Sequence, residues 1–291
     1  MGATVGRALV AGGARVLWSG AGRSAETAQR AEAAGLEDAG DLAALVGHAD
    51  WILSVCPPAS AADVAEAVLA AGFRGVYVDA NAIAPASAEA IAATLAAGGC
   101  GFVDGGIIGP PARRAGTTRL YLSGAGAEDA AECFARTDLE ARVVGGGVGA
   151  ASALKMAYAA WTKGSSALLL AARTLAHQAG VEEGLLEEWG LSQPHLERLS
   201  EGTARSVAPK AWRFAGEMEE IAATFASAGL PSGFHQAAAE IYRRLAALRS
   251  DDPVDAAGAA EALLAHSGPG ARDHSEAAAR TSSTKKPTAS R

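Results

Sequence analysis

A single lysine follows a cluster of glycines at the start of a long apolar segment. The glycines fall within residues 145–149, and Lys155 follows in an Ala-rich stretch whose spacing predicts a helix. An ammonium group on such a helix is costly to desolvate, so its pKa can fall toward neutrality. A lysine with that pKa can exchange a proton with an alcohol. The alternative is a lysine that extends its ammonium into solvent and has no chemical role.

Upstream of the glycines, strand-like and helical segments alternate. The apolar run at residues 51–56 ends at two prolines and predicts a strand buried on both faces. Ser24 is placed to cap a helix over residues 25–34, and Pro85 suits the first turn of a helix over residues 85–97. The alternation predicts an α/β fold with a doubly wound, mostly parallel, Rossmann-like sheet.

Downstream of the glycines the pattern is helical, with no convincing strand. The boundaries that we expect are a first domain over residues 1–145 and an all-helical domain over residues 146–250. Residues 267–291 hold almost nothing apolar to bury, which predicts a disordered tail.

Composition and charge exclude several classes of protein. A net charge of −7 and a pI near 5.4 argue against a nucleic-acid partner. Cys56, Cys100 and Cys133 are few and widely spaced, which predicts buried free thiols of a cytoplasmic protein rather than disulfides or a metal site. No apolar run is long enough to span a membrane.

The segment after the predicted strand at residues 15–18 bears on cofactor choice. A dinucleotide fold that binds NAD carries an acid there for the ribose 2′-hydroxyl, whereas this chain has Ser19, Arg23 and Ser24 with no acidic residue between them. A hydroxyl and a guanidinium accommodate a 2′-phosphate, so the segment favours NADP. An ordinary polar loop is the alternative.

Two further loops follow predicted strands at the edge where open α/β sheets bind ligands. The first begins at Asp79 and contains Asn81, and the second runs from Asp104 to Pro111 with glycines that let a ligand approach the backbone. Either loop alone is compatible with a simple turn.

Taken in order, these segments resemble the β-hydroxyacid dehydrogenases, a superfamily that includes 6-phosphogluconate dehydrogenase and the imine reductases. The resemblance covers about residues 1–250 and is carried by segments 54–58, 79–85, 104–110, 116–117, 147–149, 155–164 and 213–221.

The resemblance implies hydride transfer between a nicotinamide and a small polar hydroxy or carbonyl substrate, with Lys155 as general acid/base. It implies a homodimer formed through the helical domain, in which Arg213 reaches a substrate anion across the subunit interface. The implied site residues fall into three groups: Lys155 and Tyr158 for catalysis; Gly2, Ser19, Arg23, Ser24, Cys56, Pro57 and Asn81 for NADP; Asp104, Ile108, Gly109, Pro110 and Arg213 for substrate.

The chain departs from the family pattern at three places. Ile108 stands where the family has a serine, and Tyr158 and Ala159 stand where it usually has an asparagine, so we expect a substrate other than a simple hydroxy acid. Residues 1–9 match only the last glycine and first helix of the family's Gly-x-Gly-x-x-Gly element. We expect that the natural start lies upstream of Met1; a truncated, non-catalytic remnant is the alternative.

Two alternative functions remain open. An imine reductase has the same overall pattern, but those enzymes generally lack the lysine. A non-catalytic NADP-binding or structural dimer protein is the second alternative, and it would bind cofactor without turnover.

Overall fold

The computed structural model describes residues 1–249 and 254–265, so the predicted tail at 267–291 lies outside the described residues. The strands are β1 (Leu17–Trp18), β2 (Glu37–Asp38), β3 (Trp51–Ser54), β4 (Val76–Asp79), β5 (Gly101–Ile108), β6 (Thr118–Ser123) and β7 (Leu139–Val143). The helices are α1 (Gly2–Ala11), α2 (Ala25–Glu32), α3 (Leu42–Val46), α4 (Ala61–Ala70), α5 (Pro85–Ala97), α6 (Ala127–Glu132), α7 (Ala150–Gln178), α8 (Glu182–Ser192), α9 (Leu196–Val207), α10 (Ala211–Ser227), α11 (Gly233–Leu245) and α12 (Ala256–Ala265).

The main sheet has five strands in the order β3-β4-β5-β6-β7. All neighbouring pairs are parallel except β5 and β6, and β1 pairs with β2 in a separate parallel sheet. One core cluster joins α1 and α6 to the sheet, and a second joins α4 and α5 to it. Helices therefore cover both faces, and the predicted doubly wound, mostly parallel fold is confirmed.

Strand β3 is a correction to the sequence analysis. It ends at Ser54 rather than at Cys56, and Trp51 is 38% exposed. The strand forms the edge of the five-stranded sheet, so its side chains are not all covered. A continuous apolar run specifies a strand but not its place in the sheet.

Strand β5 is also longer than predicted. Its extended backbone continues through Gly105 and Gly106 to Ile108, because β6 pairs with this second half in antiparallel register. The segment that we expected to be a loop from Asp104 onward is therefore a strand as far as Ile108. The true loop begins at Gly109.

The chain forms two compact units. The first comprises Met1–Ser165 and Arg213–Glu240, and the second comprises Ser166–Trp212 and the described residues from Ile241 on. This division differs from a boundary at residue 145, because the first turns of α7 and most of α10 pack within the first unit. No described helix has the length and apolar character needed to cross a membrane.

The three thiols are free, but only Cys100 is buried as expected. Cys56 is half-buried and Cys133 is exposed. The expectation of buried thiols is therefore wrong for Cys133. The described residues hold no cluster of His, Cys, Asp or Glu suited to a metal ion.

Candidate functional site

Hydrogen bonds to the Asp104 side chain connect strand β5 to the start of α7. One carboxylate oxygen accepts hydrogen bonds from the backbone N–H groups of Gly149 and Ser152, each at 3.0 Å, and from the Ser123 hydroxyl at 3.1 Å. The other oxygen accepts from the Ser152 hydroxyl at 2.6 Å. A carboxylate at a helix N-terminus also complements the helix dipole. Asp104 thereby fixes the turn that precedes Lys155.

This geometry corrects the expectation that Asp104 contacts substrate. Its side chain is completely buried, and its oxygens are occupied by groups of the protein. Asp104 acts on the site only by positioning the helix. Ser152 was missed in the sequence analysis, although its place one turn before Lys155 was a usable signal.

Gly106 allows β5 and α7 to lie in close contact. A Cβ at this position would lie 2.9 Å from the Lys155 Cβ and 2.9 Å from the Ala151 carbonyl oxygen. The close approach lets the Lys155 ammonium donate a hydrogen bond to the Ile107 carbonyl oxygen at 2.8 Å. The ammonium therefore lies at the end of β5, where the loop beginning at Gly109 leaves the sheet.

The environment of Lys155 makes its ammonium acidic. Burial, as the largest cause, and then the Lys163 charge lower the pKa of Lys155 to about 8, although the Glu217 carboxylate partly offsets them. A pKa of about 8 leaves both protonation states populated near neutral pH, which suits proton transfer. Tyr158 lies one turn further along α7 and is 49% exposed.

An apolar residue ends β5, and a glycine with positive φ begins the loop that follows. Ile108 is buried, whereas Gly109 and Pro110 are exposed. Gly109 has φ +120°, and any Cβ there would collide with the Thr117 carbonyl oxygen, so only glycine fits. The Pro110 carbonyl accepts a hydrogen bond from the Thr118 hydroxyl at 2.6 Å. The loop is therefore held at both ends.

A second buried hydrogen-bond network surrounds Asn81 at the ends of β3 and β4. Its amide N–H groups donate to the Ser54 hydroxyl and to the Asp79 carboxylate, each at 3.0 Å, and its carbonyl oxygen accepts from the Cys56 backbone N–H at 2.6 Å. Burial is the largest cause that raises the pKa of Asp79 to about 6, and this net value includes a lowering by the hydrogen bonds from Asn81 and a raising by the Asp104 charge.

Because Asn81 is buried and bonded within the protein, it holds the Cys56–Pro57 turn in place instead of reaching outward. The expectation of a direct cofactor contact by its side chain is therefore corrected. Glu220 supports the same region from α10, since its carboxylate accepts a hydrogen bond from the Ala84 backbone N–H at 2.7 Å, at the start of α5.

The segment after β1 leaves Arg23 exposed, and Ser24 caps α2 by accepting from the Thr27 backbone N–H. The cap confirms the role predicted for Ser24 in the helix. The expectation of no nearby acid is wrong, because the Asp38 carboxylate accepts from the Gly20 backbone N–H at 3.1 Å and from Gly40 at 2.8 Å. Parallel pairing of β1 with β2 brings Asp38 there, and that pairing has no local sequence signal.

Gly2 is the first residue of α1, and Arg213 lies on α10 within the same compact unit. A Cβ on Gly2 would lie 3.8 Å from the Val55 Cβ, which places the start of α1 beside the end of β3. The start of such a helix is where a dinucleotide fold holds phosphate.

Comparison with protein families decides the class of the first half. Residues 1–137 match the model of the NAD binding domain of 6-phosphogluconate dehydrogenase. This match covers just under half of the chain. Residues 176–245 match a domain of unknown function, DUF1932. The first half of the chain is therefore similar to a nicotinamide-dinucleotide-binding domain.

A relative and two solved structures agree with this family. A protein of Methanothermus fervidus, described as an uncharacterized 28.5 kDa protein in the 7S RNA 5′ region, is 32% identical over 166 residues, which are 57% of this chain and 63% of the relative. The conserved protein MTH1747, of unknown function, has a structure described as similar to 3-hydroxyacid dehydrogenases. It is 29% identical to this chain with a TM-score of 0.63, and the match covers 85% of this chain and 93% of the MTH1747 chain.

The Mycobacterium tuberculosis 3-hydroxyisobutyrate dehydrogenase, solved with L-serine, has TM-score 0.63 and 19% identity over 90% of this chain and 95% of its own. At that identity the likeness shows the fold alone. The buried network around Asn81 lies at the carboxyl ends of β3 and β4, and Asp104 on β5 pairs with the last residue of β4. Open α/β sheets bind their ligands at this edge.

Proposed function

We propose that the protein is an NADP-dependent oxidoreductase that transfers a hydride between the nicotinamide and a small polar hydroxy or carbonyl substrate. Lys155 serves as the general acid/base. The observation that carries the proposal is the Lys155 ammonium at the end of β5, with its pKa lowered to about 8 and its helix anchored by Asp104. When bound, NADPH supplies the hydride.

The donors for the cofactor come from the turns at the sheet edge. The exposed Arg23 and the hydroxyl of Ser19 suit a 2′-phosphate, and the start of α1 at Gly2 suits the pyrophosphate. Cys56 and Pro57 offer a turn whose backbone is held by Asn81. The Asp38 carboxylate holds this segment through one of its oxygens, which accepts hydrogen bonds from two backbone N–H groups.

The substrate is held between the Lys155 ammonium, the end of β5 at Ile108 and the loop that begins at Gly109. Gly109 and Pro110 present backbone there, and Ile108 offers an apolar surface where the family has a hydroxyl. In the direction of carbonyl reduction, Lys155 donates its proton to the oxygen that becomes the alcohol. In the reverse direction it accepts that proton.

Two assays test the proposal: NADPH depletion with keto acids and cyclic imines, and NADPH formation from NADP⁺ with hydroxy acids. Turnover of a keto acid, or of a hydroxy acid with NADP⁺, supports it. Turnover of imines alone favours an imine reductase. NADPH binding without turnover of any compound favours the non-catalytic alternative.

We also propose a homodimer, supported by an exposed apolar stripe on α7. Tyr158, Trp161, Leu168 and Leu175 are 49%, 75%, 56% and 67% exposed. With Ser165 and Ala172 they follow the alternating three- and four-residue spacing of a coiled-coil seam, which contains no charged side chain. A second copy of the same helix offers a matching surface.

A further inference from the structure

An arginine of α1 is bonded to the loop that follows β5. The half-buried Arg7 guanidinium donates a hydrogen bond from Nη2 to the Ala112 carbonyl oxygen at 2.8 Å, although the two residues are 105 positions apart. Ala112 is fully buried and belongs to the same core cluster as Val5 and Ala8 of α1. The loop over residues 109–117 is therefore joined to α1 at one residue, by a hydrogen bond and by apolar packing.

This loop begins beside the Lys155 ammonium. Lys155 donates to the Ile107 carbonyl at 2.8 Å, and the loop starts two residues later. Its two ends are tied together, because the buried Thr118 hydroxyl donates to the Pro110 carbonyl at 2.6 Å. Ala112 holds the part of the loop between these ends. The Arg7 guanidinium supplies the polar half of that central attachment.

The direction of the Arg7 side chain separates it from the cofactor end of its helix. Gly2 is the first residue of α1, and Arg7 lies more than one turn further along. The backbone N–H groups that bind anions belong to the first turn. An arginine on such a helix would ordinarily be assigned to the cofactor phosphates, but its hydrogen bond joins it to the loop beside Lys155.

We propose that Arg7 is a positioning residue for the substrate and not a ligand of the cofactor. It holds the loop over residues 109–117 in the conformation that borders Lys155. A hydrogen bond from a charged donor to a carbonyl is of the stronger kind, so its loss frees the centre of the loop while the ends stay tied. The consequence for substrate rests on the proposed function, whereas the attachment of the loop to α1 does not.

The loop contains its own reporter of attachment. Arg113 and Arg114 follow Ala112 directly and are exposed, so trypsin cleaves after them when the loop opens. Arg7→Met keeps a long apolar side chain and removes every donor. We expect cleavage after these two arginines to become about tenfold faster, as measured by mass spectrometry over time. Cleavage after the exposed Arg136 is the internal reference and stays unchanged, which separates local opening from global unfolding.

Arg74→Met is the matched control for the loss of an arginine. The Arg74 guanidinium also donates to a backbone carbonyl, that of Phe73 at 2.6 Å, but it lies before β4 and away from the carboxyl ends of the strands. This variant should leave cleavage of the loop at the rate of the unaltered protein.

Steady-state kinetics give a second measurement, with a carbonyl compound that the NADPH-depletion assay identifies. Arg7→Met should raise KM for that compound about five- to tenfold, while the NADPH dissociation constant stays within about twofold. Arg74→Met should change neither constant. A purely structural loss would weaken substrate and cofactor together, so the split between the two constants identifies the positioning role.

Loop cleavage in Arg7→Met at the rate of the unaltered protein would overturn the proposal. So would an unchanged KM despite faster cleavage, or a loss of NADPH affinity equal to the rise in KM. Should Arg7→Met fail to melt cooperatively, Arg7→Gln carries the same test, because its amide stays polar but is too short to reach Ala112. Faster loop cleavage in a protein that turns over no substrate would support the attachment and count against the proposed function.

Discussion

The side chains of Lys155 and Arg23 carry the proposed proton transfer and cofactor binding. The groups around each side chain determine whether it can perform that role. Lys155 was recognisable from the sequence by its place after the glycines. Its hydrogen bond to Ile107 was not, because that bond depends on β5 lying beside α7. Such contacts between distant segments have no local sequence signal.

Lys155 predicts a characteristic pH dependence. Its pKa is lowered to about 8, so as general acid for carbonyl reduction it is protonated below that pH and loses its proton above it. We therefore expect kcat/KM for reduction to fall as pH rises through about 8, and that for alcohol oxidation to rise over the same range. A profile that is flat from pH 6.5 to 9.5 in both directions would exclude this role.

Arg23 predicts discrimination between cofactors. A charge-assisted hydrogen bond contributes about 1.5–3 kcal/mol, so Arg23→Ala should weaken NADPH binding by about 10- to 100-fold and leave NADH nearly unchanged. Arg15→Ala is the control, because Arg15 is exposed and paired with Glu37. Fluorescence titration gives the dissociation constants of both cofactors. Equal losses of affinity for NADPH and NADH would contradict the assignment to NADP.

At the scale of elements, the register between β5 and α7 sets the position of the site. The sequence predicts β5 from Gly101 and α7 from its glycines, but not the second half of β5. That half is extended because β6 pairs with it. Only this extension brings Asp104, Gly106 and Ile107 alongside the first turns of α7.

Asp104→Asn should therefore destabilise the first unit. An asparagine keeps one acceptor oxygen but replaces the other with an amide that cannot accept hydrogen bonds, at a cost of about 3 kcal/mol. Asp63→Asn is the control, because this acid lies in the first turn of α4 but is exposed. Urea unfolding of both variants measures the difference. A loss no larger than in the control would mean that the buried bonds are not decisive.

For the whole molecule, the order of strands and helices was predictable because apolar periodicity is local. The return of Arg213–Glu240 to the first unit was not, since it depends on tertiary contacts such as the bond from Ala84 to Glu220. Short elements such as β2 and α3 were missed for a related reason. Elements of so few residues show too little apolar periodicity to be recognised from the sequence.

The proposed dimer predicts a selective effect of charge on the α7 stripe. Leu168→Glu places a carboxylate in the seam and should convert the dimer to a monomer, as measured by light scattering after size-exclusion chromatography. Leu191→Glu on α8 is the matched control, because Leu191 is 84% exposed and lies outside the stripe. A monomeric unaltered protein, or equal effects of both substitutions, would refute the proposed seam.

The most direct test of the account is deuteride transfer from NADPH deuterated at nicotinamide C4 into a panel of carbonyl compounds, followed by mass spectrometry. The account predicts deuterium in an alcohol product, with Lys155→Met lowering kcat by about 10²–10⁴-fold while NADPH affinity stays within a few-fold. Lys210→Met, the control, should retain full activity. Transfer by Lys155→Met at a rate near that of the unaltered protein would contradict the central claim.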